Sequence, residues 1–198
     1  MNRIFGYILN MFPYMLIAIP VVILIRVISC SFLKKKELKT TVWHELGVCL
    51  FALFLVGLFS QTIIPKFDFG VGGLSITNGN LLGEINLIPG KVFIDTWGES
   101  IVGGYWLYFA INFIGNICLF VPIGFCVPLL WNKSSLPKTL LVGFLISLFI
   151  ELCQLPQARG TDIDDLWINT LGAMIGYILY RFFKRLLNEL DSKFKIKR

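Results

Sequence analysis

The residues of this chain that could do chemistry are concentrated in one stretch, from Glu151 to Gly176. Glu151 and Gln154 lie inside an apolar run that ends at Pro156. A short loop with Arg159, Asp162, Asp164 and Asp165 follows, and a second apolar run then carries Asn169, Gly172 and Gly176. A carboxylate within a long apolar segment is costly, so it marks a functional site by default. Glu151 with Asp162 or Asp165 could act as an acid/base pair. Arg159 has the fork geometry to hold a phosphate. Three aspartates suit Mg²⁺ or Mn²⁺, which take oxygen ligands. No His, Ser or Cys nucleophile arrangement accompanies them, which speaks against catalysis; neither a metal nor a cofactor is expected. The same residues also have a purely structural use. Asp162 to Asp165 can cap the following helix and favour its dipole, while Asn112, Asn116, Gln154 and Asn169 can bond between helices.

The elements that must position these groups are membrane helices. Of the 198 residues, 56% are hydrophobic and only 15% are charged, with a mean hydropathy of +0.76. A soluble domain of this length carries more charge. Five apolar runs cover residues 7–32, 42–64, 105–131, 139–155 and 166–187. Each approaches or exceeds the ~20 residues that cross a bilayer as a helix. The expected fold is all-α: one integral membrane domain, residues 1–198, of about five transmembrane helices. One long glycine-rich loop, residues 65–104, joins the second and third. Within it Asn78-Gly79 suggests a small hairpin, and Trp97, Tyr105 and Trp106 suit an interfacial belt. The tail from Asn188 is expected to fray.

The net charge of +6 does not indicate nucleic acid, because the basic residues flank apolar runs. With five spans, thirteen of the eighteen Lys and Arg fall on one face: Lys34 to Lys36, Lys39, Lys133, Lys138, Arg181, Lys184, Arg185 and the four of the tail. Arg3, Lys66, Lys91 and Arg159 fall on the other, and Arg26 lies within the first span, where it is expected to snorkel toward the face that holds Lys34 to Lys36. The positive-inside rule then places the N-terminus outside and the C-terminus in the cytoplasm. All five cysteines lie in apolar runs without a CxxC spacing and are expected to be buried thiols. The first run is expected to be retained as a span rather than removed as a signal peptide.

Helical spacing can be tested on the last three runs. Gly143, Ser147, Glu151 and Gln154 recur at four, four and three, on one face. Asp162, Asp165, Asn169, Gly172 and Gly176 do likewise, as do Tyr108, Asn112, Gly115 and Asn116. Glu151 lies ~7.5 Å beneath the outer end of its helix and Asn112 ~10 Å, at the helical rise. Polar faces in lipid turn inward and pair. The expected arrangement is a polar pocket in the outer half, with Glu151 on its floor and Arg159, Asp162, Asp164 and Asp165 at its mouth. Gly172-x-x-x-Gly176 is a packing motif, within the bundle or between protomers.

Taken together, Asn86-Leu87-Ile88-Pro89, Asn116-x-x-Leu119-Phe120-x-Pro122-x-Gly124-Phe125, Glu151-x-x-Gln154, Arg159, Asp162-x-Asp164-Asp165 and Asn169-x-x-Gly172-x-x-x-Gly176 resemble the VanZ-like family of bacterial membrane proteins, over residues 86–180. Gly90 departs from it, since the family usually has phenylalanine after the proline. The resemblance implies a multi-pass plasma-membrane protein of the cell envelope. It also implies a link to low-level resistance to teicoplanin-type lipoglycopeptides that leaves the peptidoglycan stem peptide unaltered. The function expected on this basis is a non-enzymatic contribution to that resistance through the outer pocket. The expected partners are membrane lipids and a lipoglycopeptide antibiotic or lipid-linked cell-wall precursor, with no nucleic acid and a possible homo-oligomer. The alternatives are an intramembrane enzyme acting on a lipid-linked envelope substrate and a small-solute or proton-coupled transporter.

Overall fold

A computed structural model describes residues 3–35, 37–64, 67–70, 73–76, 85–86, 88–91, 106–155 and 161–196. The chain is an all-α membrane helix bundle. Its long helices are α1 (Arg3–Lys35), α2 (Val42–Thr62), α3 (Trp106–Leu130), α4 (Leu136–Gln154) and α5 (Ile163–Leu186), and a short α6 (Asn188–Lys193) follows. Four of the helices are long and apolar enough to cross a membrane, in α1, α2, α3 and α4. The fifth, α5, has 24 residues, enough to span ~36 Å. Asn169, two glycines and two tyrosines interrupt its apolar middle. Large apolar side chains such as Leu16, Ile17, Leu24, Ile25, Leu50 and Phe182 are exposed, as lipid-facing positions are.

Local chemistry accounts for the helix ends. Thr41 caps α2, its hydroxyl accepting from the His44 N–H at 3.1 Å. Asp162 caps α5, with Asp164 and Asp165 in the first turn and Lys184 and Arg185 in the last, as the helix dipole favours. This cap starts the helix three residues before the expected apolar run. Pro137 occupies the first turn of α4, where its missing N–H is harmless, so that helix begins at Leu136.

Among the described residues, four short strands accompany the helices. β1 (Phe67–Gly70) and β2 (Gly73–Ile76) form an antiparallel hairpin with Gly70 paired to Gly73. Asn78-Gly79, where the sequence suggests a hairpin, lies outside the described residues, as do Trp97 and Tyr105. β3 (Ile85–Asn86) and β4 (Thr161–Asp162) pair in parallel, tying the loop after α2 to the start of α5.

The tightest packing joins α3 and α5, which run parallel with α4 antiparallel beside them. A Cβ on Gly124 would strike the Ala173 carbonyl; one on Gly172 would strike that of Ile117, and one on Gly176 that of Val121. Gly172-x-x-x-Gly176 thus packs inside the chain, against α3. On α4, Gly143 faces Ala173. The apolar core below includes Phe51, Leu58, Phe120, Ile123, Leu130 and Ile150.

At the basic end Arg26 pairs with the first turn of α2: its guanidinium donates to both Glu45 oxygens, at 2.8 to 3.0 Å. Pairing a charge near the end of a span avoids the cost of leaving it bare in lipid. One expectation fails here, since the tail does not fray. His44 Nδ1 meets the Phe194 carbonyl at 2.7 Å, Asn132 donates to the Ile196 carbonyl at 2.8 Å, and Thr41 bonds the Lys193 carbonyl. These polar anchors and the Trp43–Phe194 ring contact hold the tail under the bundle.

Two stability predictions follow from this packing. Gly176→Leu should destabilise the purified protein by about 1–3 kcal/mol through overpacking, seen as a lower midpoint in micelles. Glu45→Gln should lose about 1.5–3 kcal/mol, the worth of hydrogen bonds to a charged group. The reversed pair, Arg26→Glu with Glu45→Arg, should recover part of it in a double-mutant cycle.

Candidate functional site

The end of the bundle away from the tail gathers four acidic residues, Glu151, Asp162, Asp164 and Asp165. α4 brings Glu151, which is 4% exposed, on the same buried face as Gly143 and Ser147. α5 brings Asp162 at its cap and Asp164 and Asp165 in its first turn. α3 brings Asn116, and β3 with the residues after it brings Asn86, Ile88 and Gly90.

Each carboxylate accepts hydrogen bonds that cross between elements. Asp162 Oδ1 accepts from Asn86 Nδ2 and from the Asp164 N–H, both at 2.9 Å. Glu151 Oε2 accepts from the Asp162 N–H at 3.2 Å. Asp164, fully buried, accepts on Oδ1 from the Gly90 N–H at 2.7 Å and from Trp167 Nε1 at 2.8 Å. Asp165 Oδ1 accepts from Asn116 Nδ2 at 2.7 Å. Donor bonds of this kind make burying a carboxylate tolerable. The network joins α3, α4, α5 and the 86–90 loop into one polar end-plate.

The loop is shaped for this role. Asn86 Oδ1 accepts from the Ile88 N–H at 3.1 Å, an Asx turn. Gly90 adopts a φ of +81° with open space around its missing Cβ. A phenylalanine in this conformation would be strained by its backbone alone. This departure from the resembled pattern thus coincides with a left-handed turn that presents its N–H to Asp164.

Deeper in, Asn169 Nδ2 donates to Ser147 Oγ at 2.9 Å, and Ser147 Oγ approaches the Asp165 carbonyl at 3.4 Å. Asn169 Oδ1 is buried with no hydrogen-bond partner among the described residues. Gln154 leaves the cluster: its amide donates to the Thr62 carbonyl of α2 at 2.9 Å. That bond also puts the C-terminal ends of α2 and α4 at the same end as the acids. Arg159 lies outside the described residues. Asn112 lies on α3 one turn before Asn116, and its side chain is outside the described set.

Sequence spacing therefore brings Glu151, Asp162, Asp164, Asp165, Asn116 and Asn169 to one end. It did not assign Trp167, Ser147 or Gly90 to their partners. A signal for Trp167 exists, since an indole three residues after an aspartate on a helix shares its face. Nothing local signals Gly90, whose partner is 74 residues away. Among the described residues, no three His, Cys, Asp or Glu side chains are grouped to hold a metal ion.

Comparison with known proteins adds one match. No curated protein matches, and no solved structure matches. The profile of the VanZ/LLP1 family matches residues 48–184, from α2 to the last turn of α5. That region contains every residue of the acidic end-plate and covers well over half of the chain, so the chain belongs to the VanZ/LLP1 family.

Proposed function

We propose that this chain acts in the plasma membrane of a bacterium to lower susceptibility to teicoplanin-type lipoglycopeptides, through its acidic end-plate and without chemical change to the drug. The observation that carries this reading is the convergence of Glu151, Asp162, Asp164 and Asp165 with Asn86 and Asn116 at one end of the bundle. That end is opposite the basic one, so the positive-inside rule turns it outward. A lipid-tailed drug concentrates at the outer leaflet by burying its acyl chain. It would there meet the polar end of the bundle, whose shape Glu151 and Asp164, both buried, hold in place from within. The carboxylates are already committed to N–H donors, which favours a preorganised binding or docking surface over a pair that exchanges protons with a substrate. The same surface could engage a lipid-linked cell-wall precursor, with the membrane lipids as its surroundings.

The test is the susceptibility of a null strain expressing wild type, Glu151→Gln or Asp165→Asn at matched membrane levels. Wild type should raise the inhibitory concentration of teicoplanin several-fold and leave that of vancomycin, which has no acyl tail, nearly unchanged. Both variants should lose the protection while still inserting. An Arg159→Ala strain reports on the adjoining loop in the same assay. Absence of protection by wild type would sink the resistance reading and leave family membership standing.

A further inference from the structure

We propose that the basic end of the bundle carries a second site, a cavity between α3, α5 and the docked tail that binds the phosphate group of an anionic membrane lipid. The cavity measures about 600 Å³ and is lined by Arg181, Lys184, Arg185 and Lys195, with Tyr180 and Trp131 among its walls. Asp191, 3.8 Å from Lys184, is the one carboxylate paired with any of these cations among the described residues. Four cations converge on one recess against a single neutralising acid.

The position of these charges exceeds what membrane orientation requires. Orientation needs lysines and arginines on one side of the membrane, not around a cavity. Lys34 and Lys35 satisfy that need from the exposed end of α1. Lys195 is different. The tail folds back so that its ammonium donates to the Pro128 carbonyl and lies 5.4 Å from the Tyr180 ring centre. Burial lowers the Lys195 pKa, Asp191 acts to raise it, and the neighbouring Lys184 lowers it further. A bound anion would relieve both lowering effects. Guanidinium groups match a phosphate bidentately and ammonium groups add point charge, so the set suits a phosphodiester.

The lipid source is favoured by what lies beside the cavity. Across the α3–α4 loop, and sharing Trp131 with it, an apolar groove of about 1020 Å³ runs along Phe51, Val142 and Ile146. A free phosphate ion has no use for such a surface, whereas the acyl chain of a bound lipid can lie along it. Basic recesses between helices at the cytoplasmic level are suited to anionic headgroups.

The experiment uses the full chain, purified in an uncharged detergent, with thermal unfolding measured at fixed ionic strength. The additions are dioleoyl phosphatidylglycerol, dioleoyl phosphatidylcholine or inorganic phosphate. Phosphatidylglycerol should raise the midpoint by several degrees over phosphatidylcholine, and Arg181→Gln with Arg185→Gln should remove that difference. Lys34→Gln with Lys35→Gln, which lowers charge at the same end outside the cavity, should retain it. Native mass spectrometry of the wild type and of Arg185→Gln alone gives a second readout, the number of phosphatidylglycerol molecules retained, should the double variant not fold. Equal effects of the two lipids, or a difference that survives loss of the cavity cations, would overturn the site. A matching rise from inorganic phosphate would overturn the lipid as its source.

Discussion

The structure depends on the direct approach of two backbones, those of α3 and α5. Three glycines make it possible, with Gly124 under the Ala173 carbonyl and Gly172 and Gly176 under those of Ile117 and Val121. In lipid there is no hydrophobic gain from helix association as such, so dispersion contacts at this range hold the pair. The spacing of four continues past the glycines. The Phe125 and Tyr180 rings meet edge to face at 6.2 Å, and Phe125 and Phe183 at 5.5 Å. A fixed parallel pair then sets what can happen at either end.

At one end the pair places Asn116 against Asp165 and offers the cap of α5 to Glu151 and Asn86. At the other it places Arg181, Lys184 and Arg185 beside the last turn of α3 and the docked tail. α5 is acidic where its dipole is positive and basic where it is negative. The electrostatic polarity of the whole bundle therefore runs along one helix. The acids are held by N–H donors from α3, from α5 with its cap, and from Asn86 and Gly90, whereas the cations face an open recess. That contrast is why the first end reads as a preformed surface and the second as a ligand site.

α2 joins this unit through the apolar core, where Phe51 and Leu58 pack with Phe120, Ile123, Leu130 and Ile150, and α1 packs on α2. Gly57 lets Met11 and Met15 of α1 close onto α2. The Arg26–Glu45 pair removes an isolated charge from the first span. Polar links between α2 and the rest are added by the tail, through His44 and Thr41, and by the Gln154 bond to the Thr62 carbonyl.

The amino-acid sequence by itself determined the class, the number of long helices and the faces that α4 and α5 bury. Apolar run length and the periodic return of Gly143, Ser147 and Glu151, or of Asp165, Asn169 and Gly172, are properties of a single segment. So is the cap at Asp162, because its partner is two residues away. The identity of partners was left to the tertiary structure. Periodicity says that a face turns inward, not which helix it meets. Gln154 therefore went to α2, Gly172-x-x-x-Gly176 to α3 rather than to a second copy, and Arg26 to Glu45. Gly90, Asn86 and the tail were settled only by contacts with segments far along the chain. Such contacts depend on how the helix ends lie in space, which no local pattern encodes.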